Sequence, residues 1–106
     1  MYEKISPEEA YELFKEGKWT PLDVRSEEEY NSGHIDGAVN IPLPKLMTIY
    51  DIYPDMNENL IVYCHSGARS ARAAAFLDEI GYTNILDLGG IIAYQKYLHS
   101  REKWNP

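Results

Sequence analysis

The run Leu60-Ile61-Val62-Tyr63 constrains this chain more than any other feature. It has no polar position facing either side, so it suits a strand with both faces covered. A strand with water on one face alternates apolar and polar residues instead. Burial on both faces is typical of central strands in parallel sheets, where crossover helices pack on either side. The flanking residues agree. Asp55 to Asn59 is a polar connector before the run. A helix is predicted after it, from about Arg69 to Ile80, with Ala73, Phe76, Leu77 and Ile80 on one face and Gly81 as its C-cap.

The same alternation extends through the rest of the chain. Ser6-Pro7-Glu8-Glu9 offers an N-cap, a proline at the first helical position and a glutamate placed for a capping box. Ala10, Leu13 and Phe14 then share a face, and Gly17 ends the helix. Residues 2–5 read as a short strand ahead of it. Thr20-Pro21-Leu22-Asp23-Val24 reads as a buried strand. Ser26-Glu27-Glu28-Glu29 repeats the capping signature and opens a short helix that stops near Gly33. Ala38-Val39-Asn40-Ile41 is a further strand, broken by Pro42 and Pro44. Leu46, Ile49, Tyr50 and Tyr53 predict a short helix within residues 45–53. Asn84-Ile85-Leu86-Asp87-Leu88 reads as a strand, Gly89-Gly90 as a turn, and Ile91, Tyr94, Gln95 and Leu98 as a last helix. The pattern predicts an α/β fold: a small parallel sheet of about five strands with helices on both faces. At 106 residues, the expectation is one domain over 1–106.

Composition narrows the function. Seventeen acidic against ten basic side chains give a net charge of −7, which argues against nucleic acid or an anionic membrane as partner. The amino end lacks a signal-peptide pattern, and no stretch approaches the ~20 apolar residues that span a bilayer, so a cytoplasmic protein is expected. The chain has one cysteine, Cys64. It therefore forms no internal disulfide, no cysteine-clustered zinc site and no redox pair within the chain. No cofactor or metal is expected, and a monomer suffices.

In parallel sheets, ligands sit outside the carboxyl ends of the strands. Cys64 falls there, at the head of Cys64-His65-Ser66-Gly67-Ala68-Arg69-Ser70, a tight loop leading into a helix. A short loop of this kind can turn its backbone N–H groups inward as an anion nest, and the helix adds its positive end. Both favour negative charge on sulfur, the reactive form of cysteine. Gly67 permits a turn that a side chain forbids. Arg69 and Arg72 sit near the helix start, where cations oppose the helix dipole. A site that holds an anion has a use for them. A lone cysteine is more often a small core residue, but this context favours a reactive one.

The neighbouring residues allow more than one role. Ser66 and Ser70 offer hydroxyl donors, and Ser70 also fits a plain helix cap. His65 fits either a residue that tunes Cys64 or an exposed spacer, and Arg72 either a rim cation or a solvated one. Asp23 and Arg25 read as an ion pair tying the following helix to the sheet, with substrate contact as the alternative. His34 is expected to be buried and bonded to backbone. Glu27-Glu28-Glu29 is expected to be a solvated helix start.

These residues resemble the rhodanese (sulfurtransferase) family of single-domain type. Cys64-x-x-Gly67-x-Arg69-Ser70 looks like its active-site loop. Leu22-Asp23-Val24-Arg25, Glu29-Tyr30 and Gly33-His34-Ile35-x-Gly37-Ala38-x-Asn40-Ile41-Pro42 look like its amino-terminal signature. Gly81-Tyr82 and Leu88-x-Gly90, with Gly89 between, look like its carboxyl-terminal one. The blocks cover nearly the whole chain, in the family's order. One departure is Tyr94, which stands where many members carry tryptophan, so a packing difference is expected.

The resemblance implies a catalytic Cys64 whose thiolate takes the outer sulfur of a small anionic donor such as thiosulfate. A persulfide forms and then passes its sulfur to a thiol or cyanide acceptor. It implies substrate binding by His65, Ser66, Gly67, Ala68, Arg69 and Ser70, with Asp23 and Arg25 in support. A protein acceptor, a persulfide carrier or a regulatory interaction domain is the alternative. A cysteine phosphatase or arsenate reductase is disfavoured. Those enzymes place five residues between cysteine and arginine, whereas four intervene here and Ser70 stands at that position.

Overall fold

The computed structural model describes residues 1–104. In chain order the elements are β1 (Glu3–Lys4), α1 (Pro7–Glu16), β2 (Thr20–Asp23), α2 (Glu27–Asn31), β3 (Val39–Asn40), a 3-10 helix (Leu43–Thr48), α3 (Ile49–Ile52), β4 (Leu60–Cys64), α4 (Ala68–Glu79), β5 (Ile85–Gly90) and α5 (Ile91–Trp104). The strands form one parallel sheet in the order β1-β5-β4-β2-β3.

All of β4 is buried, as its composition requires. Its residues divide by the strand's period of two. Leu60, Val62 and Cys64 face Ala73, Ala74 and Leu77 of α4, with Leu46 and Ile49 alongside. Ile61 and Tyr63 face the opposite layer, which holds Ala10 of α1 and Ile91 and Tyr94 of α5. Tyr94 meets Phe14 edge to face at 5.9 Å, so it belongs to the packing of this layer. Both predicted capping boxes form. Ser6 Oγ accepts from the Glu9 amide at 3.1 Å while the Glu9 carboxylate accepts from the Ser6 amide at 2.9 Å. Ser26 and Glu29 repeat the exchange at 3.2 and 3.1 Å.

Three expectations change. Gly89-Gly90 is the end of β5 and not a turn: Tyr63 pairs with Gly89 and Cys64 with Gly90. The register shifts because β5 carries an extra residue, Leu88, between the partners of Val62 and Tyr63. Asp87 Oδ1 accepts the Gly89 amide at 2.9 Å, and Gly89 takes φ +86°, which together absorb the bulge and keep the strand paired. The helical stretch predicted at 45–53 starts earlier, at Leu43, as a 3-10 turn that tolerates Pro44 near its beginning. His34 is exposed rather than buried. It does reach backbone, with Nδ1 3.0 Å from the Tyr30 carbonyl, but its ring stacks on the surface of Tyr30 while Ile35 alone turns inward.

A buried polar network fixes the carboxyl ends of β2 and β4. Asp23 accepts from Arg25 Nη2 at 2.7 Å, from the Arg25 amide at 2.8 Å and from the Tyr63 hydroxyl at 2.8 Å. Arg25 Nη2 also donates to the Gly33 carbonyl at 2.7 Å, so the pair ties the end of α2 to the sheet. The Tyr63 hydroxyl in turn accepts the Ile35 amide at 3.1 Å. Burial pushes the Tyr63 phenol well above its ordinary range, so it remains a donor. Among the described residues, no helix is long and apolar enough to cross a membrane.

Tyr63→Phe strands the Ile35 amide and removes one donor from Asp23. We expect a loss of about 1–3 kcal/mol in urea unfolding. An unchanged midpoint and slope would show that the network is energetically idle.

Candidate active site

The sheet ends in a seat for one sulfur atom. Cys64 is the last residue of β4, and the chain turns at once because Gly67 adopts φ +114° at the N-cap of α4. That turn aims two amides at the thiol. Cys64 Sγ accepts from the Gly67 N–H at 3.1 Å and from the Ser70 N–H at 3.3 Å. Donors so placed stabilise negative charge on this sulfur, or on a second sulfur joined to it. Ser70 is buried, and its hydroxyl donates to the Gly67 carbonyl at 3.0 Å, so it braces the turn. His65 and Ser66 are exposed on the loop, and Ala68 and Arg72 are exposed on α4.

The loop rests on Gly90. A Cβ there would lie 2.5 Å from the His65 carbonyl oxygen and 2.8 Å from Ser66 Cα. Only a residue without a side chain lets the strand end pass beneath the loop. The β5 bulge thus has a consequence at the site, because it sets which residue of β5 lies under His65.

Arg69 reaches across to α2. Its Nη1 and Nη2 donate to Glu29 Oε1 at 2.7 Å and Oε2 at 2.9 Å, a bidentate pair that is partly exposed. The sequence places Arg69 as the holder of an anionic donor, yet here both terminal nitrogens face a carboxylate of the chain itself. Glu29 is correspondingly not the solvated residue expected. Its Oε1 also accepts from the Ser26 amide and hydroxyl, at 3.1 and 3.0 Å. The hint in the sequence was the capping box, which turns the Glu29 side chain back along α2 while Asp23 and Arg25 anchor that helix beside the loop. Hydrogen bonds from Arg69, and then from Ser26, lower the Glu29 carboxyl from 4.5 to about 2. Beside this pair is a cleft of about 300 Å³ lined by Arg25, Glu29, Ser32, His65 and Ile92 among others. The structure therefore brings Arg25 and His65 to one opening.

A strand-end cysteine cradled by loop amides has counterparts among known proteins. The rhodanese-like domain model matches residues 6–97, and the chain belongs to that family. It is 41% identical over 71 residues to thiosulfate sulfurtransferase PspE of Escherichia coli strain K12, covering 66% of this chain and 68% of that protein. It is 34% identical over 90 residues to thiosulfate sulfurtransferase GlpE of Coxiella burnetii, covering 85% and 83%. The solved structure of the human single-domain sulfurtransferase TSTD1 superposes with a TM-score of 0.76 at 29% identity, covering 91% of this chain and 95% of that one. The chain is a rhodanese-type transferase that acts as a sulfurtransferase.

Two outcomes follow from the geometry. Gly90→Ala displaces the His65–Ser66 backbone, and a misplacement near 1 Å costs about 10²-fold in rate. Cys64 alkylation should slow to that extent while the circular dichroism spectrum is kept; wild-type alkylation would mean the loop does not depend on Gly90. The Glu29–Arg69 pair has its own pH signature. The Glu29 carboxyl is depressed on folding, so its contribution to stability is full above pH 4.5 and is lost as pH falls toward about 2. Glu29→Gln should flatten the stability profile in that window, and parallel profiles would contradict the pairing.

Proposed function

We propose that this sulfurtransferase moves a sulfane sulfur from a donor such as thiosulfate to a thiol or cyanide acceptor through a persulfide on Cys64. The Cys64 thiolate attacks the outer sulfur of thiosulfate. A new S–S bond forms, the donor's S–S bond breaks, and sulfite leaves with the bonding pair. The acceptor nucleophile then attacks the outer sulfur of the Cys64 persulfide and regenerates the thiolate. The observation that carries this reading is the pair of N–H donors, from Gly67 and Ser70, directed at Sγ. They serve the thiolate before transfer and the anionic persulfide after it.

The remaining roles follow from position. Residues 65–70 receive the donor, chiefly through backbone. Asp23, at the end of β2, and Arg25, two residues beyond it, support the site. Cys64 is the one cysteine, so the acceptor thiol comes from another molecule. The relatives named thiosulfate sulfurtransferase support thiosulfate as the donor to try first.

Incubation with thiosulfate should add one sulfur to Cys64 in the intact mass, and cyanide should then release thiocyanate. Cys64→Ser should lose both signals. Equal thiocyanate formation by Cys64→Ser, or no mass gain in the wild type, would overturn the persulfide route.

A further inference from the structure

Tyr94 departs from a rule that the most deeply buried tyrosines obey. The Tyr63 hydroxyl donates to Asp23 at 2.8 Å, and the Tyr82 hydroxyl donates to the Tyr53 carbonyl at 2.6 Å. Tyr94 is only 5% exposed, yet its hydroxyl bonds to none of the described residues. The hydroxyl is not sealed in the core either. Among the described residues, every fully enclosed side-chain nitrogen or oxygen has a partner. The Tyr94 hydroxyl therefore opens on the cleft that Tyr94 lines, about 440 Å³ between α1, α5 and the loop at 34–36. A cleft of that volume holds a small molecule.

The lining has a consistent chemistry. Phe14 and Tyr94, edge to face at 5.9 Å, form an aromatic wall with Tyr11. The polar groups are rich in acceptors. His34 Nδ1 lies 3.0 Å from the Tyr30 carbonyl and donates to it, which leaves Nε2 of the neutral ring as an acceptor. The Asp36 carboxylate forms no ion pair among the described residues, whereas Lys15 is matched by Glu12 at 3.2 Å. The unmatched charge of the cleft is negative, and aromatic faces also attract cations. The net charge of −7 acts in the same sense. Burial pushes the Tyr94 phenol above its ordinary range, and Tyr11 and Asp36 add to the effect, so the hydroxyl keeps its proton.

We propose that this cleft is a binding site for a small aromatic amine, with the ring against Phe14 and Tyr94 and the ammonium at Asp36. Cys64 and residues 65–70 do not line it, so the proposal stands apart from the sulfur-transfer reading and its test needs no turnover.

The test titrates the protein with phenethylamine, 2-phenylethanol and 3-phenylpropanoate, which share a ring and differ in charge, and follows backbone amide chemical shifts. Phenethylamine should bind tightest, in the millimolar range expected for a ligand of its size, with shifts centred on Phe14, Asp36 and Tyr94. Asp36→Asn should cut the preference for the amine over the alcohol about five-fold, the size of one charge contact in water. Asp51→Asn removes an equal charge from α3, whose Ile49 packs in the opposite layer, and should change that preference by less than about two-fold. Tyr94→Phe keeps the ring and should weaken amine and alcohol alike by about five-fold, with an unchanged circular dichroism spectrum. The proposal is overturned by an absence of saturation at ~20 mM, or by equal binding of the carboxylate. Shifts centred outside the cleft, a preference that survives Asp36→Asn, or full affinity in Tyr94→Phe would overturn it as well.

Discussion

Burial of β4 on both faces is the constraint on which the rest of the structure depends. Leu60, Val62 and Cys64 demand one apolar layer, and Ile61 and Tyr63 demand another. Once helices cover both faces and β2 and β5 flank the strand, its sides offer no access to a ligand. Its two ends remain, and the chain places its one cysteine at the carboxyl end. The site is a consequence of how the core closes. The same closure explains the polar network below it. Asp23 and Tyr63 are buried where two strands end, so each must find partners inside the protein. Arg25, Gly33 and Ile35 supply or receive those bonds, and in doing so hold α2 beside the loop.

Charge is arranged locally against the global balance. A net charge of −7 does not draw an anion toward the protein. The attraction available at Cys64 comes from two amides and the start of α4, which act over short distances and lie in a water-poor setting. Arg69 is not left free beside the loop, because both of its terminal nitrogens donate to Glu29. The pair is better described as a strut between α2 and α4.

Local signals were legible in the chain. Capping boxes at Ser6 and Ser26, the apolar run at Leu60 and the helical spacing after Arg69 each act within a few residues, and each formed where the sequence placed it. The cysteine loop was legible for the same reason, since its parts are contiguous. The misreadings share the opposite cause. Gly89-Gly90 looks like a turn until the pairing with Tyr63 and Cys64 is known. Glu29 looks solvated until Arg69, 40 residues later, is brought against it. His34 looks buried beside Ile35, but the loop turns it out onto Tyr30.

The sequence by itself determined the order of strands and helices, the double burial of β4, and the placement of Cys64 at the junction of a strand and a helix. These follow from side-chain periodicity and short-range hydrogen bonding, which need no distant partner. Only the tertiary structure decided that Gly90 lies beneath the loop after Cys64, that Asp23, Tyr63 and Arg25 share one buried network, and that Arg69 answers to Glu29. Those facts depend on parallel crossovers that bring distant segments into register, and a register cannot be read from either segment alone.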